Sequence, residues 1–378
     1  MSKAIPYGRQ DIDAADIAAV VGVLQSDWLT TGPAVERFER AVAGRCGAAH
    51  AVAVFNGTVA LHLACRALGL GPGDTLWTTP NTFVASANCA LYCGAAVDFV
   101  DIDPKTYNMS ASALEKKLLS SKKTPKIVVP VHFAGQPCDM RAIGALAQKH
   151  GFAVVEDASH AVGATYCGEP VGNCRHSDIT VFSFHPVKIV TTAEGGMALA
   201  SDGKIADRLR LLRTHGINRE KSKTEGGWYY EQEDLGYNYR ITDLQAALGE
   251  SQLKRLDAFL ERRRELAARY DRLLADLPLT RPAQHADGIS AWHLYVVQVE
   301  NRRRIYDALR AAGIGVSVHY IPVHLQPHYR RLGFKPGDFP HAEAYYAKAL
   351  TLPLFPRLTD ADQDRVVAAL AKALGRGR

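Results

Sequence analysis

Three stretches carry residue types that could do chemistry together. Asn56-Gly57-Thr58 follows an apolar run at 51–54 and opens a helical pattern at 58–68. A glycine there lets backbone approach a ligand closely. The first N–H groups of a helix, aided by a threonine hydroxyl, suit an anion such as phosphate. Glu156-Asp157 closes a second apolar run at 153–156, placing acids at a strand end. Lys188 follows a third run at 178–182, through Ser183-Phe184-His185-Pro186-Val187, and lies among apolar neighbours. Partial burial lowers a lysine pKa and yields a neutral, nucleophilic amine. Taken singly, each stretch also has a plainer reading: turn and cap chemistry, a salt bridge, a solvated lysine.

Together they are the parts that a pyridoxal 5′-phosphate site requires. The cradle anchors the phosphate, the acid pairs with the ring nitrogen, and the lysine forms the Schiff base.

Seven apolar runs could position these groups: 51–54, 76–78, 97–101, 127–131, 153–156, 178–182 and 197–200. Most are Val- and Ile-rich without polar alternation, as for strands buried on both faces. Helical patterns alternate with them at 58–68, at 112–119, and after Asp139 up to His150-Gly151. This implies an α/β fold with a mostly parallel central sheet covered by helices. No G-x-G-x-x-G follows the first strand, so a dinucleotide fold lacks support. A long helix is expected over 242–274, kinked or linking two domains. A smaller α+β unit follows, with strands at 292–299 and 314–318, a helix at 302–312, and a last helix capped by Thr359. The expected division is 1–240 for the larger domain and 241–378 for the smaller. The polar stretch 216–236 is longer than an ordinary connection, and loops of that length are often functional.

Composition narrows the class further. The 378 residues are 47% hydrophobic and 22% charged, which excludes a wholly disordered chain. No apolar stretch is long and uninterrupted enough for a membrane span, and no signal peptide is read at the start. Seven cysteines without a C-x-x-C point to buried, reduced thiols and a cytoplasmic protein. The net charge of +6 is too dispersed to argue for nucleic acid. The basic groups 262–264, 302–304 and 376–378 read as solvated helix faces and a frayed tail. His319, His324 and His328 are interrupted by prolines and fit no compact ligand set, so no metal is expected.

The order of motifs resembles the DegT/DnrJ/StrS family of PLP-dependent sugar aminotransferases. The motifs are Asp27 to Gly32, Asn56-Gly57-Thr58, Thr82 to Asn88, Glu156-Asp157, Ser183 to Lys188, and Glu194-Gly195-Gly196. The resemblance covers nearly the whole chain, from about residue 5 to 372. It implies fold type I, the aspartate-aminotransferase fold. It also implies that Lys188 forms the Schiff base and shuttles the proton, and that Asp157 pairs with the pyridine nitrogen. His160 would lie near the phenolic oxygen, and Phe83 would stack on the ring. Ser183, Gly57 and Thr58 would hold the phosphate, with Asn238 reaching in from a second subunit of a homodimer. Asn56 stands where many relatives have Ser, and altered phosphate contacts are expected there.

His319 to Tyr329, Gly337 to Pro340 and Leu352 to Pro356 look closest to one branch of the family. That branch aminates C4 of a UDP-4-keto-6-deoxy-N-acetylhexosamine for pseudaminic acid synthesis, with L-glutamate as donor. His319, Tyr320, Thr30 and Thr31 are placed on the sugar side. Position 188 is lysine, which argues against the dehydratase branch, where histidine replaces it. An aminotransferase of another nucleotide 4-keto sugar (dTDP or other UDP sugar), a non-catalytic member of the fold and a polyanion binder are the remaining rivals.

Overall fold

The computed structural model describes residues 4–376. The basic end 376–378 therefore lies, beyond Arg376, outside the described residues. Seven strands form the central sheet: β1 His50–Val54, β2 Thr75–Thr78, β3 Ala96–Phe99, β4 Ile127–Val129, β5 Ala153–Asp157, β6 Ile179–Ser183 and β7 Gly196–Ala200. Their order is β1-β7-β6-β5-β4-β2-β3. β7 runs antiparallel to both of its neighbours, and the other pairings are parallel. All seven apolar runs are strands, and the α/β, mostly parallel architecture holds. Buried apolar clusters cover both faces, which is why the runs lack polar alternation.

The register gathers the chemistry at one sheet edge. Gly196 pairs with Val54 on one side and Ser183 on the other, and Asp157 lies beside Val181. The carboxyl ends of β1, β5 and β6 thus meet the amino end of β7. Ligands of open α/β sheets bind at such an edge.

The helices start where their caps place them. Asn56 accepts the Val59 N–H, Asp139 that of Ala142, and Thr359 that of Asp362. The helix expected over 242–274, kinked or linking two domains, is broken into two, Asp243–Leu253 and Leu256–Leu273. At the break, the Lys254 and Arg255 N–H groups turn back to Ser251 and Gln252 carbonyls. The Arg255 side chain reaches carboxylates of Asp11, Asp13 and Asp16 there. The second helix spans two cores. Leu256, Phe259 and Leu260 pack with the sheet side, and Leu266, Ala267 and Tyr270 pack with the C-terminal unit.

That unit pairs strands Tyr295–Gln298 and Ala349–Leu352. The strand expected at 314–318 does not form. Among the described residues, Ile314 bridges only Ile5, and Ser317 only Thr351. The stretch 216–236 folds back as a short hairpin, Ile217–Asn218 against Glu231–Gln232.

Six cysteines are buried and none is bonded, but Cys167 is exposed. Arg263 departs from the expected solvated face. It is buried, and its guanidinium donates to carbonyls of Trp292, His293 and Leu354. Three carbonyls offset the cost of burying that cation. Among the described residues, no helix is long and apolar enough to cross a membrane, and no group of ligating side chains is arranged for a metal.

Candidate active site

One cavity of about 490 Å³ opens at the sheet edge. It brings together Asn56, Gly57, Thr58, Phe83, Asp157, His160, Ser183, Lys188, His319 and Tyr320, ten of the thirteen expected site residues. Thr30, Thr31 and Asn238 do not line it, and all three are exposed.

Asp157 ends β5 and is 5% exposed. Its carboxylate is held in a chain of donors. Ser86 Oγ donates to Oδ2 at 2.6 Å, and the Ser159 N–H donates to Oδ1 at 3.1 Å. Because that carboxylate only accepts, the Thr82 hydroxyl, 2.8 Å from Ser86 Oγ, must donate to it in turn. Glu156, the neighbouring acid, points elsewhere, as strand alternation requires. It accepts from His132 Nε2 at 2.7 Å and Thr180 Oγ1 at 3.0 Å. The two acids are thus separated into a structural one and one that lines the cavity.

Lys188 is half-buried on the loop joining β6 to β7. Burial pushes its ammonium down to about 8, against the opposing pull of the Asp157 carboxylate. A neutral amine is therefore populated near neutral pH.

The turn after β1 is built for close approach. A Cβ on Gly57 would lie 2.8 Å from Ser183 Cβ, and one on Gly196 would lie 2.5 Å from Asn56 O. The Asn56 side chain is spent on the Val59 N–H as the helix cap. Among the described residues, the Gly57 and Thr58 N–H groups bond to no protein acceptor. Asn56 thus shapes the cradle, and its neighbours offer the donors.

Phe83, 57% exposed, lies with its ring 6.4 Å from that of Tyr320. His160 is buried, and its Nε2 meets Tyr320 Oη at 3.1 Å. Its Nδ1 is buried without a partner. Burial, then Lys188 and His319, hold its pKa well below the usual histidine range. His319 Nδ1 contacts Thr351 Oγ1 at 2.8 Å, and burial with Lys188 lowers its pKa to about 4. Tyr320 lines the cavity with its hydroxyl engaged by His160.

Sequence reasoning missed Ser86, Tyr7 and His293 as cavity residues. Ser86 lies inside the quoted 82–88 motif, but nothing local assigns it to Asp157. Tyr7 arrives because Ile5 pairs with Gly313 and Gly315 of the C-terminal unit.

A close-approach phosphate cradle, a held carboxylate and a partly neutral lysine on one sheet edge fit pyridoxal 5′-phosphate. The fold and cavity define a PLP-dependent aminotransferase. The chain belongs to the DegT/DnrJ/EryC1/StrS aminotransferase family, whose profile matches residues 10–371. It is a sugar aminotransferase. It is 44% identical to the spore coat polysaccharide biosynthesis protein SpsC of Bacillus subtilis, over 97% of this chain and 96% of that protein. Spr1654 of Streptococcus pneumoniae, solved in its PLP form, is 32% identical with a TM-score of 0.91, covering 99% of each chain. Helicobacter pylori PseC, an aminotransferase of pseudaminic acid biosynthesis, is 30% identical. Its TM-score is 0.92, covering 99% of this chain and 100% of that one.

Proposed function

We propose that this enzyme moves the amino group of L-glutamate to C4 of a UDP-4-keto-6-deoxy-N-acetylhexosamine. The product would be UDP-4-amino-4,6-dideoxy-N-acetyl-β-L-altrosamine, for pseudaminic acid synthesis. The observation that carries this reading is the wall that His319 and Tyr320 contribute to the cavity holding Lys188. That wall comes from the C-terminal stretch that resembles the pseudaminic branch, and the likeness to PseC supports it. The higher identity to SpsC favours a second reading, amination of another nucleotide 4-keto sugar destined for a surface polysaccharide.

Bound PLP supplies the electron sink and carries the amine between the two substrates. The Gly57 and Thr58 N–H groups and Ser183 hold its phosphate. Asp157 keeps a proton on its ring nitrogen. Phe83 covers the ring face, and His160 faces the ring oxygen. Lys188 takes the α-proton of glutamate and delivers a proton to C4 of the sugar. The larger unit, 1–240, bears the cofactor, and 241–378 caps it.

A panel of UDP- and dTDP-4-keto sugars offered with glutamate, scored by product NMR, tests the assignment. Amination of the UDP-N-acetyl sugar at C4 is expected. Turnover of dTDP sugars alone would shift the case to the second reading. A glutamate half-reaction with no sugar accepted would remove both.

His319→Ala is expected to raise KM for the nucleotide sugar about tenfold, roughly 1.4 kcal/mol. The glutamate half-reaction should stay within about twofold. Equal losses in both halves would contradict the sugar-side placement.

The enzyme acts as a homodimer in which Asn238 completes the partner's site and Thr30 and Thr31 reach the sugar. Large apolar side chains stand exposed near these positions in the sequence: Trp28 55%, Leu29 50%, Trp228 77% and Leu235 72%. Such exposure is what a subunit interface covers. Sedimentation equilibrium should give twice 41.2 kDa. A monomer that retains the cofactor normally would refute the arrangement.

A further inference from the structure

His293 is the buried cavity histidine to which no role falls above. The segment carrying it is clamped from several sides. The Ala291 N–H donates to Gly135 O at 3.0 Å, and the Leu294 N–H donates to Ala134 O at 3.2 Å. Gly135 has no space for a side chain. A Cβ there would lie 2.9 Å from the amide nitrogens of Trp292 and His293, and 3.0 Å from His160 O. Arg263 donates to the Trp292 and His293 carbonyls at 3.1 and 3.3 Å. The outcome is a ring laid against His160, with centroids 4.4 Å apart and planes at 42°.

The groups acting on this histidine pair are Lys188, His319 and Arg263, with the Tyr320 hydroxyl on His160 Nε2. Of the cavity's two carboxylates, Asp157 is held by Ser86 and Ser159, and Glu194 lies on the loop before β7. Among the described residues, no anion pairs with either ring, and both Nδ1 atoms are buried without a partner. A proton on His160 would face cations and no counter-charge.

We propose that His293 is a positioning residue of the transamination site: its ring, tilted against that of His160 at close range, fixes that ring and shields it from water. His160 is thereby presented to the cavity in its neutral form, with Nε2 toward Tyr320. The proposal rests on the reading that His160 faces the cofactor.

The test begins with NMR of histidine-labelled protein without cofactor, the His160 signal being identified by its loss in His160→Gln. In the native protein His160 should not titrate between pH 5 and 8. In His293→Ala, with the ring opened to water but Lys188 and His319 still beside it, it should titrate within that window, below the unperturbed value of about 6.5. His293→Phe, which keeps an uncharged ring, should restore the silence. With cofactor bound, the glutamate half-reaction of His293→Ala should slow about tenfold, and His293→Phe should recover most of that loss. A silent His160 in His293→Ala would overturn the proposal, as would a Phe variant as impaired as the Ala one. If the Ala variant does not fold, the Phe variant decides, and a tenfold loss there overturns it. A native half-reaction rate in His160→Ala would instead remove the cofactor-side reading of His160 and leave the titration result standing.

Discussion

Lys188→Ala is expected to abolish transamination. The loss in kcat should be at least ~10⁴-fold, about 5 kcal/mol, because one side chain supplies both the covalent anchor and the proton transfer. The visible absorbance of lysine-bound cofactor should vanish. Small primary amines added in solution should restore part of the rate, since the cavity otherwise stays intact. A variant that transaminates within tenfold of the native rate would remove the assignment. The same lysine sets a pH dependence. Its folded-state pKa lies below the ordinary value of 10.5, at about 8, so the neutral amine is scarce below that pH and dominant above it. The rate at which cofactor-free protein captures PLP should climb about tenfold per pH unit up to about 8 and then level off. Stopped-flow absorbance measures it. A flat profile from pH 6 to 9 would contradict a buried, depressed lysine.

Asp157→Asn is expected to be the second most damaging change. The amide oxygen can still accept from the Ser159 N–H, and its NH2 can donate to the Ser86 hydroxyl once that hydroxyl turns, so the local fold should survive. It carries no charge, and so cannot hold a proton on a ring nitrogen. A loss in kcat of about 10³-fold is expected, roughly 4 kcal/mol, with thermal stability nearly unchanged. Ser86→Ala, which frees one carboxylate oxygen, should cost far less, because the charge remains. Losses within threefold of each other in the two variants would mean that geometry, not charge, is what Asp157 provides.

Much of the fold was legible because a strand buried on both faces writes itself as an uninterrupted apolar run. The seven runs from 51 to 200 did so, and the caps at Asp139 and Thr359 marked helix starts by local chemistry. Residues 314–318 misled because alternation alone looks like a strand. Ladder formation needs successive residues paired to one partner, whereas Ile314 bridges Ile5 and Ser317 bridges Thr351, on two different segments. A kink in the 242–274 helix was expected, but its position at 254–255 was not legible. The apolar spacing continues through it, and the acids that gather on Arg255 come from residues 11–16.

By itself, the sequence determined which residues could bear the chemistry: a strand-end acid, a glycine–threonine turn and a lysine among apolar neighbours. Each of those signals is local, being set by residue type and by position relative to one strand. Tertiary structure alone decided how they work. It assigned Glu156 to His132 and Asp157 to the cavity, and spent the Asn56 side chain on a cap. It also brought Ser86, Tyr7 and His293 to the site from three distant segments. Those assignments depend on sheet register and on contacts between elements far apart in the chain, where spacing along the sequence carries no information about distance in space.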